Sequence, residues 1–170
     1  EKALDHVRAM RPEYVPAQEM YAKLKIDGAT LRTTDVDGLN EGIRILDGLR
    51  DKGNNSWSIL TASAVARMKK FDFTGEHPLL DEAEKLLEAA ESAAPSAPDP
   101  IIERGCIGLR KKDGSAADGY FKKAVSEGMW LPTIDAELDL YLGRAARFRL
   151  QRRLPEARED HLPDLARGLV

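Results

Sequence analysis

Two short stretches bring together the residue types that ion binding or proton transfer would need. Thr33-Thr34-Asp35-Val36-Asp37-Gly38 has the Asp-x-Asp-Gly look of a calcium loop. Such a loop converges carboxylate oxygens on the ion and closes with an acidic side chain six residues after the glycine. That position is Arg44, a cation where an anion is required. The stretch therefore reads as a helix start, with Asp35 and Asp37 near the positive end of the helix. Glu159-Asp160-His161-Leu162-Pro163-Asp164 combines acid, histidine and acid, but on an expected terminal helix, where charges are usually solvated.

The remaining reactive side chains are scattered. His6, His77 and His161 lie far apart and none sits in an HExxH arrangement, which assigns them surface or capping roles. Cys106 is alone, which excludes an internal disulfide and leaves the compartment open. A nucleophilic thiolate wants an adjacent histidine or arginine, and only Arg104 and Arg110 stand near, so Cys106 is expected to be a small buried hydrophobe. No G-x-S-x-G, Walker or dinucleotide loop occurs, and the glycines of "GCIGLRKKDG" do not follow a strand pattern. The expectation is therefore no catalytic residue, no metal and no cofactor.

One charge feature stands out. Arg144, Arg147, Arg149, Arg152 and Arg153 fill the second half of an expected helix whose first half carries Asp135, Glu137 and Asp139. Acid first and base last is what the helix dipole favours, and this reading ranks above a basic patch for an acidic peptide or phosphate. Arg144 and Arg147, three apart, share a helix face.

These residues need elements to hold them, and the composition sets what is possible. At 170 residues the chain is long enough to bury one core unaided. A formal net charge of −3 repels a nucleic-acid backbone, so no nucleic acid is expected as partner. No apolar run approaches the roughly 20 residues of a membrane helix, and no signal segment opens the chain. A cytoplasmic location is the default expectation. The start at Glu1, inside the helix-like "EKALDHVRAM", points to a preceding segment that was cleaved or left out.

Helix punctuation recurs every 15 to 25 residues. Thr34 with Asp37 and Ser115 with Asp118 form S/T-x-x-D/E starts, and Pro78, Pro100 and Pro155 suit first turns. The pattern predicts helices near 1–10, 16–31, 35–51, 55–70, 78–92, 99–112, 115–127, 132–153 and 155–168, joined by short turns and therefore antiparallel in sequence. The only strand candidate, "GMWLPTI", is broken by Pro132. "SAAPSAPDP" over 92–100 holds three prolines and is read as a connector between helix pairs.

A repeated order of small and large residues runs through these helices. Ala117-x3-Phe121-x2-Ala124 recurs as Ala83-x3-Leu87-x2-Ala90, with weaker echoes at Ala3-x3-Val7-x2-Met10, at Gly42-x3-Leu46-x2-Leu49 and from Ala157. The five small residues are spaced by 39, 41, 34 and 40 positions. Positions i, i+4 and i+7 share one helix face, so the small residue admits a neighbouring helix and the large one fills the space beyond it. Each such helix is expected to be the second of a pair.

This order resembles the tetratricopeptide repeat (TPR) family, with its W-x2-L-G-x2-Y, then A-x3-F, then P over about 34 residues. Trp57-x2-Leu60-Thr61-x2-Ala64 keeps two anchors, Leu142-Gly143 keeps the Leu-Gly step, and Gly105 precedes Ala117 by twelve residues as the family's glycine precedes its alanine. The unit from 98 to 131 has the family length and the others run longer. "YFKKAVSEG" is also similar to the Sel1-like repeat in its small residues and closing glycine. The resemblance implies an all-α fold of antiparallel helix pairs stacked as a right-handed TPR-like superhelix. It would form one domain over 1–170, with a half repeat at 1–15 and about four pairs after it.

It further implies that first helices line a concave surface that binds peptides or protein segments. Carried over from Trp57, Gly105 and Gly143, the groove positions are Asn55, Ser58, Ala62 and Val65, then Asp99, Ile102, Cys106 and Leu109, then Glu137, Leu140, Arg144 and Arg147. Asn55, Ser58, Ile102, Leu109, Arg144 and Arg147 are the candidate partner-binding residues, with an acidic segment expected at the two arginines. The Lys and Asn pairs that clamp a chaperone tail's carboxylate are missing from these positions. The expected function is a protein-binding scaffold or adaptor, with no membrane span and with homo-oligomers possible. The alternative is an accessory or oligomerising module of a longer enzyme, such as a transferase or kinase. A free-standing helical enzyme ranks last.

Overall fold

The computed structural model describes residues 2–29 and 36–126. Among the described residues there are seven helices and no strand: α1 (Lys2–Met10), α2 (Val15–Gly28), α3 (Val36–Asp51), α4 (Trp57–Thr74), α5 (Pro78–Ala93), α6 (Pro98–Arg110) and α7 (Gly114–Ser126). Over this span the chain is all-α. None of these helices is long and apolar enough to cross a membrane. The helices expected over 132–153 and 155–168, and with them Arg144 and Arg147, lie outside the described residues, as does the Thr34 start.

Local chemistry explains most boundaries. Ser56 precedes α4, and its Oγ accepts from the Ile59 N–H at 3.3 Å, satisfying one of the donors a helix start leaves open. The same helix stops at Gly75, whose φ of 72° needs no Cβ to be relieved and whose N–H returns to the Phe71 carbonyl at 2.7 Å. Prolines stand in the first turn of α2, α5 and α6, where their missing N–H costs nothing. At α7 the cap differs from the one expected at Ser115. Asp113 Oδ1 accepts from the N–H groups of Ser115 and Ala116 at 3.2 and 3.1 Å, because the helix already begins at Gly114. Asp118 instead sits mostly buried inside the helix, 3.1 Å from Lys122.

Consecutive helices pack as hairpins, α2 with α3, α4 with α5 and α6 with α7, and each hairpin also touches the next. The direction follows from side-chain contacts. Arg104 of α6 pairs with Glu91 and Glu88 near the end of α5, while Lys111, just past α6, pairs with Asp81 and Glu84 near its beginning. These two helices are therefore antiparallel. The first helices also meet one another, α2 with α4 and α4 with α6. They run the same way: Glu19 and Asp27 on α2 meet Ser58 and Lys69 on α4 in that order.

The small-large order does the packing work assigned to it in three helices. Ala83, Leu87 and Ala90 are fully buried, as are Ala117 and Phe121, with Ala124 nearly so; Leu46 and the buried Gly42 do the same in α3. The partners are complementary in size. A Cβ built on Gly42 would stand 2.8 Å from Ile26 Cγ1, and one on Gly108 would stand 2.8 Å from the Ala117 nitrogen. Only hydrogen at these positions lets the backbones approach so closely. The echo in α1 makes no such face: Ala3 is exposed, and Val7 and Met10 are 38% and 68% exposed. Among the described elements the helix meets only α2, with Arg8 lying over the Tyr21 ring at 3.5 Å.

Two apolar clusters result. One joins Leu60, Ala64 and Met68 of α4 to α5, α6 and α7, with Phe121 fully buried in it. The other joins Ile59, Ala62 and Ala66 of α4 to α2 and α3. A helix apolar or small all round is a buried helix, and the run "WSILTASAVARM" makes α4 one.

Candidate functional site

Because α4 is flanked by α2 and α6 along one side, the three first helices enclose a cleft of about 250 Å³. Lys23, Ile26 and Asp27 of α2 form one wall. Trp57, Ser58, Thr61, Ala62 and Val65 of α4 form the floor, at the i, i+4 and i+3 steps of one helix face. Asp99 and Glu103, one turn apart on α6, form the other wall.

Lys23, the one cation among the described residues that line this cleft, is engaged within the fold. Lys23 Nζ donates to Ser58 Oγ at 2.7 Å and pairs with Glu19 at 2.7 Å, and Ser58 Oγ donates to Glu19 Oε1 at 2.5 Å. Burial opposes the charge on Glu19, yet the hydrogen bonds from Lys23 and Ser58 outweigh it and hold the carboxyl below its usual range. Lys69 Nζ donates to the Ile26 carbonyl at 2.8 Å and lies 3.4 Å from Asp27. Asp27 itself is 75% exposed. The cleft is thus apolar at its base, with Trp57 among the floor residues, and its net charge is negative.

Of the six candidate residues, Ser58 lines the cleft. Asn55 does not: α4 begins at Trp57, so Asn55 sits before the helix and lines a second concavity with Arg50 of α3, Arg67 of α4 and Glu82 of α5. Ile102 and Leu109 are partly buried and pack against the α4–α7 cluster, away from the cleft lining. Among the other carried-over positions, Ala62, Val65 and Asp99 line the cleft, whereas Cys106 is a buried member of the core, as its apolar neighbours suggested. Arg144 and Arg147 lie outside the described residues.

The whole α2 wall was missing from the sequence reading. No first-helix anchor of the repeat pattern occurs before Trp57, so nothing fixed the phase of that helix. Arg67 was also invisible. It joins three helices, bidentate to Asp47 at 3.0 and 3.2 Å and 2.9 Å from Glu82, and also donates to the Ser63 carbonyl at 3.2 Å.

The chemical inventory within the described residues stays sparse. The His77 ring lies tilted against Phe71 at the α4–α5 turn, with centroids 5.4 Å apart. Among the described residues no group of three His, Cys, Asp or Glu side chains could hold a metal ion. No family model, curated protein or solved structure matches the chain.

Proposed function

We propose that this chain is a scaffold of the TPR type, whose concave side, formed by the first helices, binds an extended segment of another protein. The observation that carries this is the cleft across α2, α4 and α6, three parallel helices from three successive hairpins. Its size argues in the same direction. At about 250 Å³ it falls below the roughly 300–1,000 Å³ typical of small-molecule pockets and suits one or two side chains of a longer ligand. A right-handed superhelix over the whole of 1–170, with the stretch that carries Arg144 and Arg147 extending the groove, belongs to this proposal.

Affinity capture with the longest expressible form of the protein, read by mass spectrometry, tests it. Ser58→Arg fills the cleft, and Ala116→Arg adds the same charge and bulk at an exposed position of α7. Partners retained by the Ala116 variant and lost by the Ser58 variant support the groove. Partners held equally by both place binding elsewhere.

A further inference from the structure

We infer that the concavity between α3, α4 and α5 is a site for a small organic anion, a phosphate or carboxylate head on a short apolar body, with Arg50, Lys85 and Asn55 receiving the head. It shares no lining residue with the cleft of α2, α4 and α6, and the inference does not rest on the groove reading. Its volume of about 420 Å³ falls within the roughly 300–1,000 Å³ typical of small-molecule pockets. Charge carries the assignment. Among the described residues Arg50, Arg67 and Lys85 line it against one carboxylate, Glu82. Arg67 is satisfied within the fold, bidentate to Asp47 at 3.0 and 3.2 Å and 2.9 Å from Glu82. It takes up both of these carboxylates and is not counted for the ligand.

Arg50 is left under-paired. Its Nη1 donates at 3.2 Å to Asp47 Oδ1, an oxygen that Arg67 already holds at 3.0 Å. Its Nε is buried with no acceptor among the described residues, and its Nη2 makes no hydrogen bond there either. Nε and Nη2 form the edge with which an arginine takes an oxyanion bidentately. A ligand meets Nη2 first, and a turn of the guanidinium brings in Nε, a donor with no bond to lose. Lys85 is exposed and makes no ion pair among the described residues; Asp81, the carboxylate its charge acts on, is already bonded by Lys111 at 2.9 Å. The exposed Asn55 side chain adds an amide without a hydrogen bond among the described residues.

The rest of the lining supports the apolar half. Leu60, Leu86 and Ala89 complete the concavity, the two leucines being 6% and 7% exposed. An inorganic anion would leave this surface in water, whereas an apolar body covers it and gains by the area removed from solvent. Shielding the head from water also strengthens its hydrogen bonds to the guanidinium.

Titration of phenyl phosphate into isotope-labelled protein at low salt, followed by two-dimensional NMR, tests this. The expected result is a saturable shift of the Arg50 Nε–H signal and of the Asn55, Leu60, Lys85 and Ala89 amides. Benzoate should move the same signals, and inorganic phosphate should bind several-fold more weakly than phenyl phosphate. The Arg50→Gln, Lys85→Gln double variant should bind phenyl phosphate on the order of tenfold more weakly. Arg44→Gln, which removes an exposed arginine of α3 outside this concavity, should bind as the wild type does. Should Arg50→Gln disturb the Asp47 network and the fold, Lys85→Gln alone decides, with weaker binding expected at an unchanged melting temperature. Shifts that rise without saturating, saturable shifts centred on other residues, or equal weakening by Arg44→Gln overturn the site. Inorganic phosphate bound as tightly as phenyl phosphate overturns the apolar body and with it the assigned ligand class.

Discussion

Gly105 on α6 and Phe121 on α7 compete for one volume: a Cβ built on Gly105 would stand 2.7 Å from Phe121 Cδ1. The ring is fully buried and lies in the apolar cluster shared by α4 to α7, so it has no free direction in which to retreat. Gly105→Ala should therefore cost about 1–3 kcal/mol by overpacking, and Phe121→Ala about 3–5 kcal/mol by leaving a cavity. The two changes combined should cost less than the sum, because each relieves the other. Urea unfolding of the three variants measures this; simple additivity would mean the two side chains do not share space.

At Ala117 the contact is with backbone. Its nitrogen faces Gly108 across the hairpin, and Ala117→Leu should overpack by about 1–3 kcal/mol. Lys122, 69% exposed, is the control on the same helix, and Lys122→Ala should cost under about 1 kcal/mol. Equal effects at both positions in thermal unfolding would show that the helix is turned differently.

Glu91 ties α5 to two other helices, 2.6 Å from Lys123 and 2.9 Å from Arg104. The hydrogen bond from Lys123, followed by that from Arg104, holds its carboxyl below the ordinary value of 4.5 despite partial burial. Its folded pKa is depressed, so its contribution to stability is complete above about pH 4.5 and is lost as pH falls through the lowered value. Glu91→Gln should lower stability at pH 7 and flatten the pH dependence of urea stability below pH 5. A variant whose pH profile parallels the wild type at all values would remove Glu91 from the acid transition.

Ser63 is fully buried on α4, and its hydroxyl has no hydrogen-bond partner within the described residues. A hydroxyl removed from water without compensation is a cost, so Ser63→Ala should be neutral or stabilising by roughly 1 kcal/mol. A loss of more than about 1 kcal/mol in the melting analysis would show that the oxygen does bond to something.

The fold was largely legible because its determinants are local. Ala83, Ala117 and Gly42 mark second helices by helical spacing alone, and Pro78 and Pro100 stand in first turns of α5 and α6. α7 starts at Gly114 instead of 115 because Asp113 Oδ1 caps the N–H groups of Ser115 and Ala116, although Asp113 lacks the acidic residue three positions on that made Ser115 the expected start. The cleft was half legible. Ser58, Ala62 and Val65 follow from phase once Trp57 is fixed, and Asp99 from Gly105, whereas Asn55, before the Ser56 cap, lines a different concavity. Lys23, Asp27 and Arg67 act through partners 15 to 42 residues away, and no periodicity along one helix encodes such pairs.

Among the described residues α4 alone belongs to both apolar clusters, with Leu60, Ala64 and Met68 facing one and Ile59, Ala62 and Ala66 the other. Stacked helix pairs can in principle melt one at a time, since each unit touches only its neighbours. Here opening either cluster strips one side of the same helix and exposes apolar surface on the other half's main support. The two halves are thus thermodynamically coupled, and the backbone amides of α4 are the ones whose exchange with solvent should require global unfolding, while those of α1 exchange through local fraying.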